Sequence, residues 1–121
     1  MSSTEIPLKE RYEASMVLSG AGDALGYNNG AWEFERNGET IHRQVKQIGG
    51  LAKLDVKDFP LSDDTVMHVA TAEALIQIEG KDKETTIPDL CQGLVKKYVA
   101  SMKDMDGRGA GICTCYNYGL R

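Results

Sequence analysis

The densest group of hard oxygen donors in the chain is Ser62-Asp63-Asp64-Thr65. These residues open an apolar pattern with helical spacing, which places them at the positive end of a helix dipole. A serine or aspartate cap with acids in the first turn suits any helix and stabilises it by about 0.5–2 kcal/mol. Two adjacent carboxylates exceed what a cap needs, and each crowds the other. A hard divalent cation would relieve that crowding by taking hydroxyl and carboxylate oxygens together. An ordinary cap and half of an oxygen-ligand metal site are both open readings. His68, four residues after Asp64, shares its helical face. An Asp–His pair, or a supporting role behind the metal's own ligands, is the commoner use of that spacing, because oxygen-rich magnesium sites seldom recruit imidazole.

Two further segments could carry chemistry. Gly22-Asp23-Ala24-Leu25-Gly26 has the small residues of a phosphate-cradling loop but neither a preceding strand nor GxGxxG spacing, so that fingerprint fails. Asp23, set among small and apolar residues, needs a backbone amide or a polar ligand as its partner. Trp32-Glu33-Phe34 puts the single tryptophan beside an acid, readable as a hydrophobic anchor or as a flap over a ligand. His42 lies in polar sequence and carries no signal. Cys91, Cys113 and Cys115 have no CxxC spacing and no nearby histidine, so they read as free thiols.

The elements that must position these residues read as all-α: three main helices, a long connection and an irregular C-terminal tail. The first pattern runs from about Pro7 to Leu25, with Tyr12, Met16, Val17 and Ala21 recurring at helical spacing. Gly20, Gly22 and Gly26 are expensive in an exposed helix, about 0.8–1 kcal/mol each against Ala, and so predict close approach by another helix or a ligand. Residues 27 to 61 form a polar, glycine-punctuated connection with one short helix at Thr40–Ile48. The second main helix is expected over Ser62–Glu79, with Met67, Ala70, Thr71, Ala74, Leu75 and Ile78 on one face. The third spans Thr86–Met105, with Thr86 as N-cap and Asp89 as capping-box partner. The two should pack through Leu75, Ile78, Leu90, Leu94 and Tyr98. From Asp106 onward there is no periodicity, and the segment reads as an unanchored tail.

A chain of 121 residues is expected to form at most one compact unit at roughly 150 residues per domain. Its net charge of -4 and lack of a long Lys/Arg run exclude a phosphate-tracking surface, so no nucleic-acid partner is expected. No apolar run reaches the roughly 18 residues of a membrane span, and the N-terminus lacks signal-peptide order. A soluble, cytoplasmic, monomeric protein with no membrane contact is the expectation.

The pieces combine into a resemblance. Met16-Val17-Leu18-Ser19-Gly20-Ala21-Gly22-Asp23-Ala24-Leu25-Gly26-Tyr27, Asn29-Gly30, Trp32-Glu33-Phe34, Ile41-His42-Arg43-Gln44 and Gly49-Gly50-Leu51 occur in order. They are followed by Ser62-Asp63-Asp64-Thr65-Val66-Met67-His68, Ala70-Thr71-Ala72-Glu73-Ala74-Leu75 and Asp104-Met105-Asp106-Gly107-Arg108. Over about residues 9–109 the chain resembles the arginine-directed branch of the ADP-ribosylhydrolase family, which includes the bacterial dinitrogenase reductase-activating glycohydrolases. The serine-directed branch and a catalytically degenerate muscle-type branch are less similar.

The resemblance implies an all-helical fold, a two-magnesium site and hydrolysis of the N-glycosidic bond between ADP-ribose and an arginine side chain of a protein. It implies Ser62, Asp63 and Asp64 as metal ligands, Asp63, Asp64 and Glu33 as catalytic groups, and Gly22, Asp23 and Glu33 on the substrate side. Family members are longer and complete the metal site with a second Asp-x-Asp-Ser/Thr motif, which this sequence lacks. Residues 1–109 therefore read as an incomplete ADP-ribosylhydrolase domain, and 110–121 as a divergent, disordered tail of a truncated product or incomplete gene model. Turnover by the chain alone is not expected. The alternative is a non-catalytic fragment or a weak metal- or ADP-ribose-binding module.

Overall fold

A computed structural model describes residues 5–79 and 85–111. Four helices follow in order: α1 (Leu8–Tyr27), α2 (Gly38–Ile48), α3 (Asp63–Glu79) and α4 (Ile87–Ser101). Among the described residues there is no strand, in keeping with the all-α expectation. They group into two small units that divide between Pro60 and Leu61, where length alone leads one to expect a single one. Cys113, Cys115 and most of the expected tail, residues 112–121, lie outside the described residues.

In the first unit, α1 ends in a sharp reversal. Asn28 and Asn29 both take left-handed backbone angles, φ 43° and 55°, and Gly30 follows at 81°. Asparagine and glycine are the residues that enter this region most readily, so the sequence Asn-Asn-Gly dictates the turn. The Asn28 amide donates to the Ala24 carbonyl, and the Trp32 amide returns to the Tyr27 carbonyl at 3.4 Å. α2 starts at Gly38, two residues before the Thr40 expected from periodicity, because the Asn37 side chain accepts the Glu39 amide at 3.0 Å. Gly49, at φ 98°, closes it.

One expectation for α1 is not met. Tyr12 and Val17 are 66% and 70% exposed, and only Ala24 and Tyr27 of this helix are buried. A Cβ on Gly22 or Gly26 would meet nothing within 4 Å among the described residues, which leaves the approach of a ligand as the reading of those glycines still open.

In the second unit, α3 and α4 pack against each other. α4 begins with the expected capping box: Thr86 Oγ1 accepts the Asp89 amide at 3.3 Å, and Asp89 Oδ2 accepts the Thr86 amide at 3.2 Å. It ends at Ser101 and tightens into a 3-10 turn at Met102–Asp104, short of the continuous helix expected to Met105.

The packing face is the expected one except at Leu75. Ala70 and Ala74 are the buried residues of α3's inner face, whereas Leu75 is 49% exposed. A Cβ on Gly93 would lie 3.0 Å from Ile78 Cδ1. Small residues bring the helices close, leaving the longer side chains at the edges of the seam. Across that seam the Thr71 and Tyr98 hydroxyls bond at 2.8 Å, and Lys97 pairs with Glu73 at 2.8 Å.

Leu94 is half-buried in this arrangement. Leu94→Ala is therefore expected to cost about 1–2 kcal/mol, below the roughly 2–5 kcal/mol of a fully enclosed leucine. Urea denaturation followed by far-UV circular dichroism measures it; a change under about 0.5 kcal/mol, the usual range for surface positions, would place Leu94 outside the seam.

Candidate metal centre at the start of α3

α3 begins at Asp63, and the Val66 amide bonds the Ser62 carbonyl at 3.4 Å, which puts Ser62 at the capping position. Ser62 is 4% exposed and Thr65 is 7% exposed. Asp63 is half-buried and Asp64 exposed. The structure thus collects two hydroxyls and two carboxylates within a single helical turn, with the hydroxyl residues inside and the second acid facing water.

This donor set fits a hard divalent cation that keeps several of its waters, since hydroxyl and carboxylate oxygens are the ligands magnesium prefers. It supplies only part of a coordination shell. Among the described residues no three His, Cys, Asp or Glu side chains gather closely enough to hold an ion. His68 does not add to the set: it is exposed, and among the described residues it forms no ion pair with Asp64.

A groove of about 380 Å³ runs beside the first turn of α3, walled by Leu61, Thr65, Val66, Ala70, Ser101 and Asp104. Asp63 and Asp64 are not in its wall.

The segment expected to be an unanchored tail is tied down at its start. Arg108 Nε donates to the Asp104 carbonyl at 2.6 Å, one terminal nitrogen meets Asp104 Oδ2 at 3.1 Å, and the other donates to the Leu61 carbonyl. Its side chain is 17% exposed, and Met105 beside it is buried. No local signal announces this contact, because Leu61 precedes Arg108 by 47 residues.

The other candidate residues sit in the first unit. Gly22 is on α1 with open space above its Cα, and Asp23 is half-buried. Glu33 is exposed. Of the two roles open to Trp32, the structure gives it that of an anchor. It is 8% exposed, its indole N–H donates to Gln44 Oε1 at 2.6 Å, and it lines a small apolar cleft with Ile41, Val45 and Leu51. Phe34 points outward and is exposed. Cys91 is a free, exposed thiol on α4. Among the described residues no helix is long and apolar enough to cross a membrane.

Residues 4–119 match the family model described as ADP-ribosylglycohydrolase. The chain is 43% identical over 114 residues to ADP-ribosylhydrolase ARH1 of Dictyostelium discoideum, covering 93% of this chain and 28% of that protein. It is 25% identical over 100 residues to the Acanthamoeba polyphaga mimivirus protein L444, named as an ADP-ribosyl glycohydrolase, covering 77% of this chain and 20% of that protein. The chain thus spans less than a third of the length of either relative. With a match over nearly its whole length, the chain belongs to the ADP-ribosylglycohydrolase family.

Proposed function

We propose that the chain supplies the metal-binding turn of an enzyme that hydrolyses the N-glycosidic bond between ADP-ribose and an arginine side chain of a protein. The observation that carries this reading is the Ser62-Asp63-Asp64 turn at the start of α3, with Ser62 buried and two acids side by side, in a chain of this family. Ser62 Oγ and the carboxylates of Asp63 and Asp64 would hold a magnesium ion, which would supply orientation of the ribose hydroxyls and of a water. As the bond from the anomeric carbon to the guanidine nitrogen breaks, positive charge grows on that carbon, and the water oxygen bonds to it. Asp63 or Asp64 takes the proton that the water loses, and the departing guanidine nitrogen takes one up. Gly22, Asp23 and Glu33 act on the substrate side. The open face above Gly22 leaves room for a ligand to approach the backbone there.

A second reading applies to the chain by itself. The absence of a third converging acid among the described residues favours a weak binder of magnesium or ADP-ribose without turnover.

A chimera tests the enzymatic reading: the 114 residues that match the Dictyostelium relative replace their counterpart in that protein. Magnesium-dependent release of ADP-ribose from arginine-linked substrate, lost in the Ser62/Asp63/Asp64 triple-alanine variant, is the expected result. Release from serine-linked substrate instead, or release that survives the triple substitution, would sink the reading.

A further inference from the structure

The metal reading leaves open how a turn in which Asp63 is only half-buried and Asp64 is exposed keeps one geometry. The first amides of a helix have no partners within it, so its entry depends on contacts from outside. Here one contact comes from far along the chain. We infer that Arg108 is the positioning residue of the Ser62-Asp63-Asp64 turn, a role that rests on the metal reading of that turn.

The Leu61 carbonyl and the Ser62 nitrogen share one rigid peptide plane. A guanidinium bond to that carbonyl fixes the plane, and with it the direction in which the backbone enters α3 at Ser62. Arg108 is itself held against rotation, because its Nε and other terminal nitrogen grip the carbonyl and carboxylate of Asp104. Asp104 closes the 3-10 turn at the end of α4, so the start of α3 is referenced to the far end of its packing partner. The fork of donors is what permits two backbone oxygens and a carboxylate to be engaged together. A lysine ammonium on a flexible stem cannot reproduce that planar bridge.

Arg108→Lys and Arg108→Ala test the inference in the 121-residue chain, with Asp104→Ala as a control that removes only the exposed carboxylate from the bridge. The Val66 amide reports the turn, since it bonds the Ser62 carbonyl. Its hydrogen exchange is expected to quicken by about tenfold in both Arg108 variants, while Ala74 and Leu94 exchange as in the parent and the control stays near it. Manganese(II), followed by electron paramagnetic resonance, is expected to bind about tenfold more weakly to both Arg108 variants, the usual consequence of losing a group that orients a metal ligand. Unchanged exchange at Val66, or faster exchange spread evenly along α3 and α4, overturns the positioning role. If the parent binds manganese no more tightly than the triple-alanine variant, the metal reading fails, and exchange at Val66 still decides what Arg108 does.

Discussion

Incubated alone with magnesium and an ADP-ribosylated arginine substrate, the chain is expected to release ADP-ribose no faster than its Ser62/Asp63/Asp64 triple-alanine variant. Two divalent ions held close together repel one another, and a site for both needs several anionic ligands to offset that repulsion. The start of α3 offers two carboxylates and two hydroxyls, with Asp64 exposed to water. No third His, Cys, Asp or Glu joins them among the described residues. The same solvent access screens the carboxylates and lets the ribose take up unreactive poses, so the advantage of fixed orientation is lost as well. Release of ADP-ribose is the measurement. Magnesium-dependent release clearly above the control would mean that self-association or an acid not recognised here completes the site.

The second large effect is expected in the chimera, where hydrolysis can be followed. Asp63→Asn and Asp64→Asn each replace a carboxylate by an uncharged amide that can still offer one oxygen to a metal. The acid that accepts the water's proton should lose turnover by about 10²–10⁴-fold, because the amide cannot take up a proton. The acid that serves only as a ligand should lose affinity for magnesium and recover much of its rate at high magnesium concentration. Turnover against magnesium concentration separates the two roles. Equal rescue of both variants by magnesium would remove the proton-acceptor role from this pair.

What could be read from the sequence follows the range of the forces involved. The capping box of Thr86 and Asp89 was legible because both partners sit three residues apart and the motif needs nothing else. The polar start of α3 was legible for the same reason. The early start of α2 was not, because Asn37 caps it before any apolar residue appears and Gly38 argues against a helix. Leu75 was expected in the seam on its periodicity, yet Ala70 and Ala74 govern how near α4 comes, and closeness favours the small residue over the large one. Tyr12 and Val17 show the reverse limit: spacing reveals an apolar face but not what, if anything, covers it. Arg108 was visible as part of the run Asp104–Arg108, but its contact was not, because that depends on a carbonyl contributed by another segment.

The reversal after α1 bears on how a substitution survey of this protein would look. With φ at 43°, 55° and 81° in succession, positions 28, 29 and 30 each sit in a region that costs an ordinary L-residue about 1–2 kcal/mol. Side chains branched at Cβ fare worst. A tolerance map covering every position would therefore show a narrow band at Asn28-Asn29-Gly30 that accepts little beyond asparagine, aspartate and glycine. Such a band is easily mistaken for a mark of chemistry, although the selection there acts on handedness of the main chain.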